Sequence, residues 1–161
     1  MDPKRLCPTC HTGELTEGST VETEVVGPRT YTATVPALCC SNCDEAIVTA
    51  ATLRAFEGAV ARAVASSGAG DEAAVREMRK AAGLTRVELA SLLAVTSETV
   101  LAWESGADSP DRATVALLGA LAVEALDGLT TTRDRLRELV IAAATPAPDA
   151  PVTVKVLLSA A

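Results

Sequence analysis

Two stretches near the start of the chain alternate in the manner of strands. Residues 20–26 (Thr-Val-Glu-Thr-Glu-Val-Val) and 31–37 (Tyr-Thr-Ala-Thr-Val-Pro-Ala) are rich in β-branched side chains. Gly27-Pro28 lies between them as a turn, so the two runs predict a hairpin. From residue 49 the period changes. Leu53, Phe56, Val60 and Val64 recur at spacings of three and four, one face of an amphipathic helix that Thr49 or Thr52 can cap. Ser66-Ser67-Gly68-Ala69-Gly70 breaks that pattern and reads as a short link.

Beyond the link the pattern is one of short helices. Val75, Met78, Arg79 and Ala82 fit the first, stopped by Gly83. Thr85 with Glu88 three positions on is a capping box, opening a helix through Leu89, Ala90, Leu92 and Leu93. Ala94-Val95 turns the chain, and Thr96 or Ser97 caps a helix that carries Val100 and Trp103 inward and ends at Gly106 and Pro110. Asp111 opens another with Val115, Leu117, Leu118, Leu121 and Leu126. Short helices joined by a tight turn predict a helix-turn-helix domain. A further helix over 130–144, capped by Thr132, places Leu136, Leu139 and Val140 on one side. Three prolines in 145–151 make a stiff link, and residues 152–158 alternate enough for a strand that adds to a sheet, this chain's or a partner's. The expected fold is α+β: a small β-rich ribbon with a trailing helix (1–65), a link (66–71), an all-α helix-turn-helix domain (72–127), a C-terminal helix (128–145), and a Pro-rich link with a terminal strand (146–161).

Composition narrows the chemistry. The 161 residues suit one or two domains. Hydrophobic residues make up 48% but aromatic ones only 2%, so the cores are aliphatic. A net charge of −7 gives no bulk attraction for nucleic acid, and any DNA contact has to come from a local surface. No apolar run approaches the ~20 residues that cross a bilayer. No secretory leader is evident, and the expected compartment is the cytoplasm. Walker, Rossmann and nucleophile-elbow motifs are absent from the sequence.

The cysteines carry the most specific pattern. Cys7-Pro8-Thr9-Cys10 is answered roughly 30 residues later by Cys40-Ser41-Asn42-Cys43, two knuckles spaced for one tetrahedral four-sulfur metal site. Each knuckle turns two thiolates toward one ion. One Zn2+ per chain fits best; a rubredoxin-like iron is an alternative, as are two disulfides, and a thioredoxin-type redox pair fits less well because two knuckles occur and no βαβ pattern surrounds them. Metal binding would supply folding energy to a ribbon too short to bury much surface. Cys39 forms no two-residue knuckle with Cys43 and reads as a small filler, and His11 as a neighbour of the site or a solvent-facing residue. A closed four-sulfur site leaves no position for substrate, and His11 has no evident acid–base partners, so no enzyme activity is expected.

Together, Cys7–Leu15, Leu38–Ile47, the stretch Gly83-Leu84-Thr85-Arg86-Val87-Glu88-Leu89-Ala90, and Thr99-Val100-Leu101-Ala102-Trp103-Glu104-Ser105-Gly106 with Pro110 resemble the MqsA-type antitoxins. In that family a zinc ribbon precedes an Xre/Cro-type helix-turn-helix. The resemblance covers about residues 1–126 and does not extend to the last helix, link and strand. It implies that the ribbon binds and neutralises a cognate toxin, often one that cleaves RNA. It further implies that the helix-turn-helix forms a homodimer and represses at an operator, and that Arg79 and Glu104 form a buried ion pair.

The expected DNA-facing set is Arg86, Thr96, Ser97, Glu98, Thr99, Leu101 and Ala102. Its chemistry is thin. Leu101 and Ala102 offer no hydrogen bond where the family usually has polar, basic or amide residues, and Glu98 repels phosphate although it can accept from cytosine N4. Arg86, where the family usually has Gln, can clamp a phosphate or fork onto guanine. Two alternatives to the antitoxin reading stay open: a transcription factor without a toxin partner, and a dimerisation module that has lost DNA binding.

Overall fold

The computed structural model describes residues 5–144. The order of elements is β1 (Leu15–Val26), β2 (Arg29–Cys40), β3 (Ala46–Ile47), α1 (Ala50–Ser66), α2 (Glu72–Ala81), α3 (Arg86–Leu93), α4 (Ser97–Ser105), α5 (Arg112–Leu126) and α6 (Thr131–Ala144). The fold is α+β. The strand proposed for 152–158 and the Pro-rich link before it lie outside the described residues.

β1 and β2 pair antiparallel from Leu15↔Cys40 to Val26↔Arg29, so the hairpin is longer at its base than the two β-branched runs. Its two-residue turn places Gly27 at φ +59° ahead of Pro28, the type II′ sequence whose twist matches the strands. β3 adds beside β2 at Leu38↔Ile47 and Cys39↔Ala46, giving the sheet order β1-β2-β3. The hairpin buries one face. Val26, Val35 and Ala37 are buried, while Val21 and Val25 on the other face stay 63% and 66% exposed.

Helix α1 starts at Thr49, whose hydroxyl accepts from the Thr52 backbone. Phe56, Val60 and Val64 are buried; Leu53, on the same face but in the first turn, is more exposed. α1 packs against α5 and α2 as well as β2. The hydrophobic core is therefore continuous across the link at 66–71: Val26, Val35, Phe56 and Val60 belong to one cluster with Met78, Leu89, Val100, Trp103 and Leu118. Where α1 crosses α5, Gly119 lets the backbones meet, since a Cβ there would lie 2.7 Å from the Ala65 carbonyl oxygen.

The helical half forms as its caps dictate. Asp71, Thr85, Thr96 and Asp111 each accept a backbone N–H at the start of α2, α3, α4 and α5, and Thr85 and Glu88 close a reciprocal box. Ala94, at φ +53°, ends α3 in the left-handed region, and Gly106, at φ +76°, ends α4. One cap differs from expectation. Thr132 lies inside α6, where its backbone N–H and hydroxyl donate to the Glu124 carboxylate at 2.9 and 2.7 Å. A side chain of α5 thus satisfies the first turn of α6. Leu136 and Val140 pack inward while Leu139 is 65% exposed, because α6 rests on α3 and α5 along a narrow stripe. Arg133 reaches across to the Ala82 carbonyl at the end of α2, 2.6 Å away.

The ribbon tip is fastened to the helical half. Arg29 forms an ion pair with Asp71, the residue that also caps α2. Burial alone would raise the Asp71 carboxyl, but the Arg29 guanidinium and the Ala74 N–H together hold it below the usual range.

Candidate metal centre and nucleic-acid interface

The metal centre grows from two turns at the base of the hairpin. In the first, Cys7 N donates to the Gly13 carbonyl (2.9 Å) and His11 N to the Cys7 carbonyl (3.0 Å), which curls residues 7–13 into a compact knuckle. His11 accommodates the curl at φ +58°, with its side chain exposed. In the second, Cys40 N donates to the Glu45 carbonyl at 2.9 Å. The turns are stitched together by Ser41 N to the Glu14 carbonyl (3.0 Å), by Asn42 Nδ2 to Thr12 Oγ1 (2.9 Å), and by Thr9 Oγ1 to Glu45 Oε2 (2.8 Å).

The result brings the sulfurs of Cys7, Cys10, Cys40 and Cys43 within 4.8 Å of one another. Cys7 and Cys43 Sγ are 3.8 Å apart, and Cys10 and Cys40 Sγ 3.6 Å. Bonds of about 2.3 Å from sulfur to a central zinc place tetrahedral sulfurs about 3.8 Å apart. A disulfide needs about 2.05 Å, so these pairs are not bridges; the cysteines are free thiols.

Two of the four thiols are shifted in opposite directions. Cys10 is lowered to about 5, chiefly by hydrogen bonds from the Thr12 backbone and side chain and from Gly13 N. Cys43, although the Glu45 backbone N–H pulls it down, is pushed up to about 12 with the neighbouring Cys40, Cys10 and Cys7 sulfurs among the causes. Four adjacent thiolates repel one another, and a dication at their centre is what lets all four ionise. Backbone donors already face them: Gly13 N and Asn42 N lie 3.3 Å from Cys10 and Cys40 Sγ. Glycine is required at 13, since a Cβ there would sit 2.2 Å from Cys40 Sγ. Cys39, one residue along β2, faces the other way. Its thiol lies against Gly18 and donates to the Ser19 carbonyl at 3.7 Å, outside the four-sulfur cluster.

The second candidate site surrounds α4. Glu104 is 1% exposed, and its carboxylate accepts from Arg79 Nε at 2.5 Å and Arg86 Nε at 2.6 Å. Burial works against its charge, but the two guanidinium groups outweigh that and hold the carboxyl below its usual range. Arg79 also donates to the Leu84 carbonyl at 2.7 Å, and Arg76 Nη2 donates to the Glu104 backbone carbonyl at 2.5 Å. The sequence pattern points Arg86 at DNA; the structure attaches it to the carboxylate expected for Arg79 alone. Nothing in the sequence marks Arg76, because its bond is to a backbone carbonyl, which no side-chain motif announces.

The N-terminal turn of α4 satisfies itself. The Thr96 hydroxyl accepts from Thr99 N at 3.2 Å and lies 3.1 Å from the Thr99 hydroxyl. Glu98 folds back to its own backbone N–H and to the Thr96 and Ser97 hydroxyls, which lower its carboxyl. Leu101 is 50% exposed and Ala102 half-buried. Thr99 lies on the Trp103 side of α4, bordering a cleft of about 640 Å3 that Leu93, Val95 and Leu117 also line. It is thus turned from Leu101 by about 200° of helical rotation. Val87 on α3, 67% exposed, adds another apolar side chain to the surface.

No curated protein matches the chain. No helix among the described residues is long and apolar enough to cross a membrane. Residues 75–120, from within α2 to within α5, match the model of the helix-turn-helix family, which supports a DNA-binding regulator of transcription carrying a four-cysteine site able to hold a metal ion.

Proposed function

We propose that this protein is an antitoxin-type regulator: a zinc-stabilised ribbon that holds a cognate toxin, joined to a homodimeric helix-turn-helix that represses its own operon in the cytoplasm. The observation that carries the reading is the pairing, in one chain, of four clustered cysteine sulfurs, two pairs of them at separations that suit zinc, with a helix-turn-helix segment. Cys7, Cys10, Cys40 and Cys43 would hold Zn2+, whose part is to neutralise four thiolates and cross-link the hairpin base. The closed sulfur set argues for a structural ion and against an enzyme. Support for a toxin partner comes from the likeness of both knuckles, and of their order ahead of the helix-turn-helix, to MqsA-type antitoxins. Arg86, with Ser97 and Leu101, would face the operator, Leu101 meeting a thymine methyl.

The deciding experiment co-expresses the protein with the product of the adjacent small reading frame. Relief of that product's toxicity and a stable complex, both lost in Cys43→Ser, are expected. A harmless neighbour that never co-elutes would leave a zinc-ribbon transcription factor without a toxin. A second reading, a protein-docking module that no longer binds DNA, draws on the exposed Val87 and Leu101. Retention of an upstream duplex by the purified protein would dismiss it.

A further inference from the structure

One edge of the ribbon sheet is open. β1 lies outermost in the order β1-β2-β3. Ser41 N, on the β2 side, donates to the Glu14 carbonyl, and Leu15 N donates to the Arg5 carbonyl on the other side. Backbone groups alternate in direction along a strand, so the even-numbered residues of β1 bond β2 and the odd-numbered ones face outward. The Leu6↔Glu14 bridge covers the base of that outward edge. Farther along, at Val21, Thr23 and Val25, no strand lies beside it among the described residues. Proline, lysine or a bulge blunts most such edges. β1 has neither proline nor lysine, and its register with β2 is unbroken from Leu15 to Val26. The outer edge of β2, by contrast, is closed by β3 and by Pro36, which has no N–H to offer. The two faces at the open edge differ. On one, the pairs Val21↔Thr34, Thr23↔Thr32 and Val25↔Thr30 carry no charge. On the other stand Glu22 and Glu24. The Glu24 carboxyl is raised by burial and then by repulsion from Glu77 and Glu57, with Lys80 pulling the other way.

We infer that the open edge of β1, from Val21 to Val25, receives residues 152–158 of a second copy of this chain, with their valines on the uncharged face and Lys155 on the acidic one. This deepens the homodimer part of the proposed function and rests on neither the toxin nor the operator. The segment matches both faces at once. Val152, Val154, Val156 and Leu158 share one side of an extended run, and Thr153, Lys155 and Leu157 the other. Its one charged side chain is positive, in a protein of net charge −7. Laid antiparallel, Lys155 stands opposite Glu22 or Glu24, and in either register apolar side chains fall beside Val21, Thr23 and Val25. A slip by one residue would put Lys155 on the uncharged face and valines among the glutamates, so the pattern fixes the parity. The course of α6 assigns the segment to a neighbour. α6 starts at the end of α2, where Arg133 meets the Ala82 carbonyl, and proceeds along α3 to Val140 and Ile141 beside Ser91. The hairpin lies instead on α1 and α2. At 1.5 Å per residue, the 14 residues of α6 carry the chain about 21 Å from that start. Residues 145–151, fully extended at about 3.1 Å each, span about 22 Å. Return to the chain's own hairpin would use all of that span before pairing began. Reciprocal exchange between two copies closes as a two-fold pair.

Amide exchange in the full-length, metal-loaded protein reads the edge one residue at a time. Val21, Thr23 and Val25 are expected to exchange at least roughly tenfold more slowly in the parent than in Val154→Pro, which removes a bonding N–H from the docked segment. Thr20, Glu22 and Glu24, bonded to β2, are expected to stay equally slow in both. Lys155→Glu is expected to speed the three odd positions, and Glu24→Lys added to it to slow them again. Isotope-labelled Val154→Pro mixed with unlabelled parent tests the source: its odd amides are expected to slow as parent is added. Parent and Val154→Pro exchanging alike at the odd positions overturn the inference. Protection in the parent that never transfers to the labelled variant overturns the second copy as the source. A dimer in sedimentation whose odd amides are fast overturns this inference alone. A parent that sediments as a monomer at every concentration overturns it together with the homodimer.

Discussion

Burying a carboxylate is tolerable only if its charge is met by hydrogen-bonded cations, and Glu104 has two. Removing the inner one, in Arg79→Ala, leaves that charge to the half-exposed Arg86. A loss of about 3 kcal/mol is expected in urea or thermal melts, at the low end for a broken buried pair. The sign of the pH dependence follows from the shifts at Glu104 and Asp71. Both carboxyls are held below their unfolded values, so the stability they contribute is complete above about pH 4.3 and is lost as pH falls through the folded values. Melting temperature should therefore be level near neutrality and drop in acid; a rise in acid would contradict both assignments. Gly13→Ala is expected to strip the metal, since the added methyl would stand 2.2 Å from Cys40 Sγ. Metal analysis of the purified variant reads this directly, with about one zinc per chain in the parent and colourless solutions where iron would absorb.

Elements were legible wherever a cap or a period declares them locally. Thr85 with Glu88 announces α3, and Asp111 announces α5, because each hydrogen bond spans three residues. β3 was missed because two residues carry no alternation, and its place is set by pairing with β2. Thr132 has the chemistry of a cap, but the first turn of α6 is closed by Glu124 from α5, eight residues back. The same limit hid the close approach of α1 and α5 at Gly119. Gly119→Ala is expected to cost about 1–3 kcal/mol by forcing those helices apart, unlike an ordinary helix glycine, where alanine helps. Thermal unfolding of that variant beside Gly58→Ala, which meets only Leu126 at 4.0 Å, makes the comparison.

At the scale of the molecule, the Gly-rich stretch at 66–71 reads as a boundary, yet the core passes across it through Val64, Val60 and Phe56. Composition marks where the chain turns; it does not say which surfaces a helix will cover. The four cysteines were legible because knuckle spacing is local, whereas the arginine cluster depends on three helices meeting. Removing the metal with a chelator is expected to loosen residues 5–20 and 38–47 while leaving the helical circular dichroism signal nearly intact. The helical core takes only Val26, Val35 and partly buried neighbours from the ribbon. Amide exchange followed residue by residue separates this local opening from global unfolding, which would show the two halves to be one cooperative unit.

The hairpin is pinned at its turn by Arg29 and Asp71 and carries the sulfurs at its opposite end, twelve paired positions away. Strand side chains repeat every second residue, so the arm can lengthen or shorten only in matched pairs, two per strand, without turning its buried face outward. Each such step shifts the metal end by about 7 Å along the arm. The distance between the sulfur cluster and the helical half is therefore quantised, and homologous arms should differ by even increments.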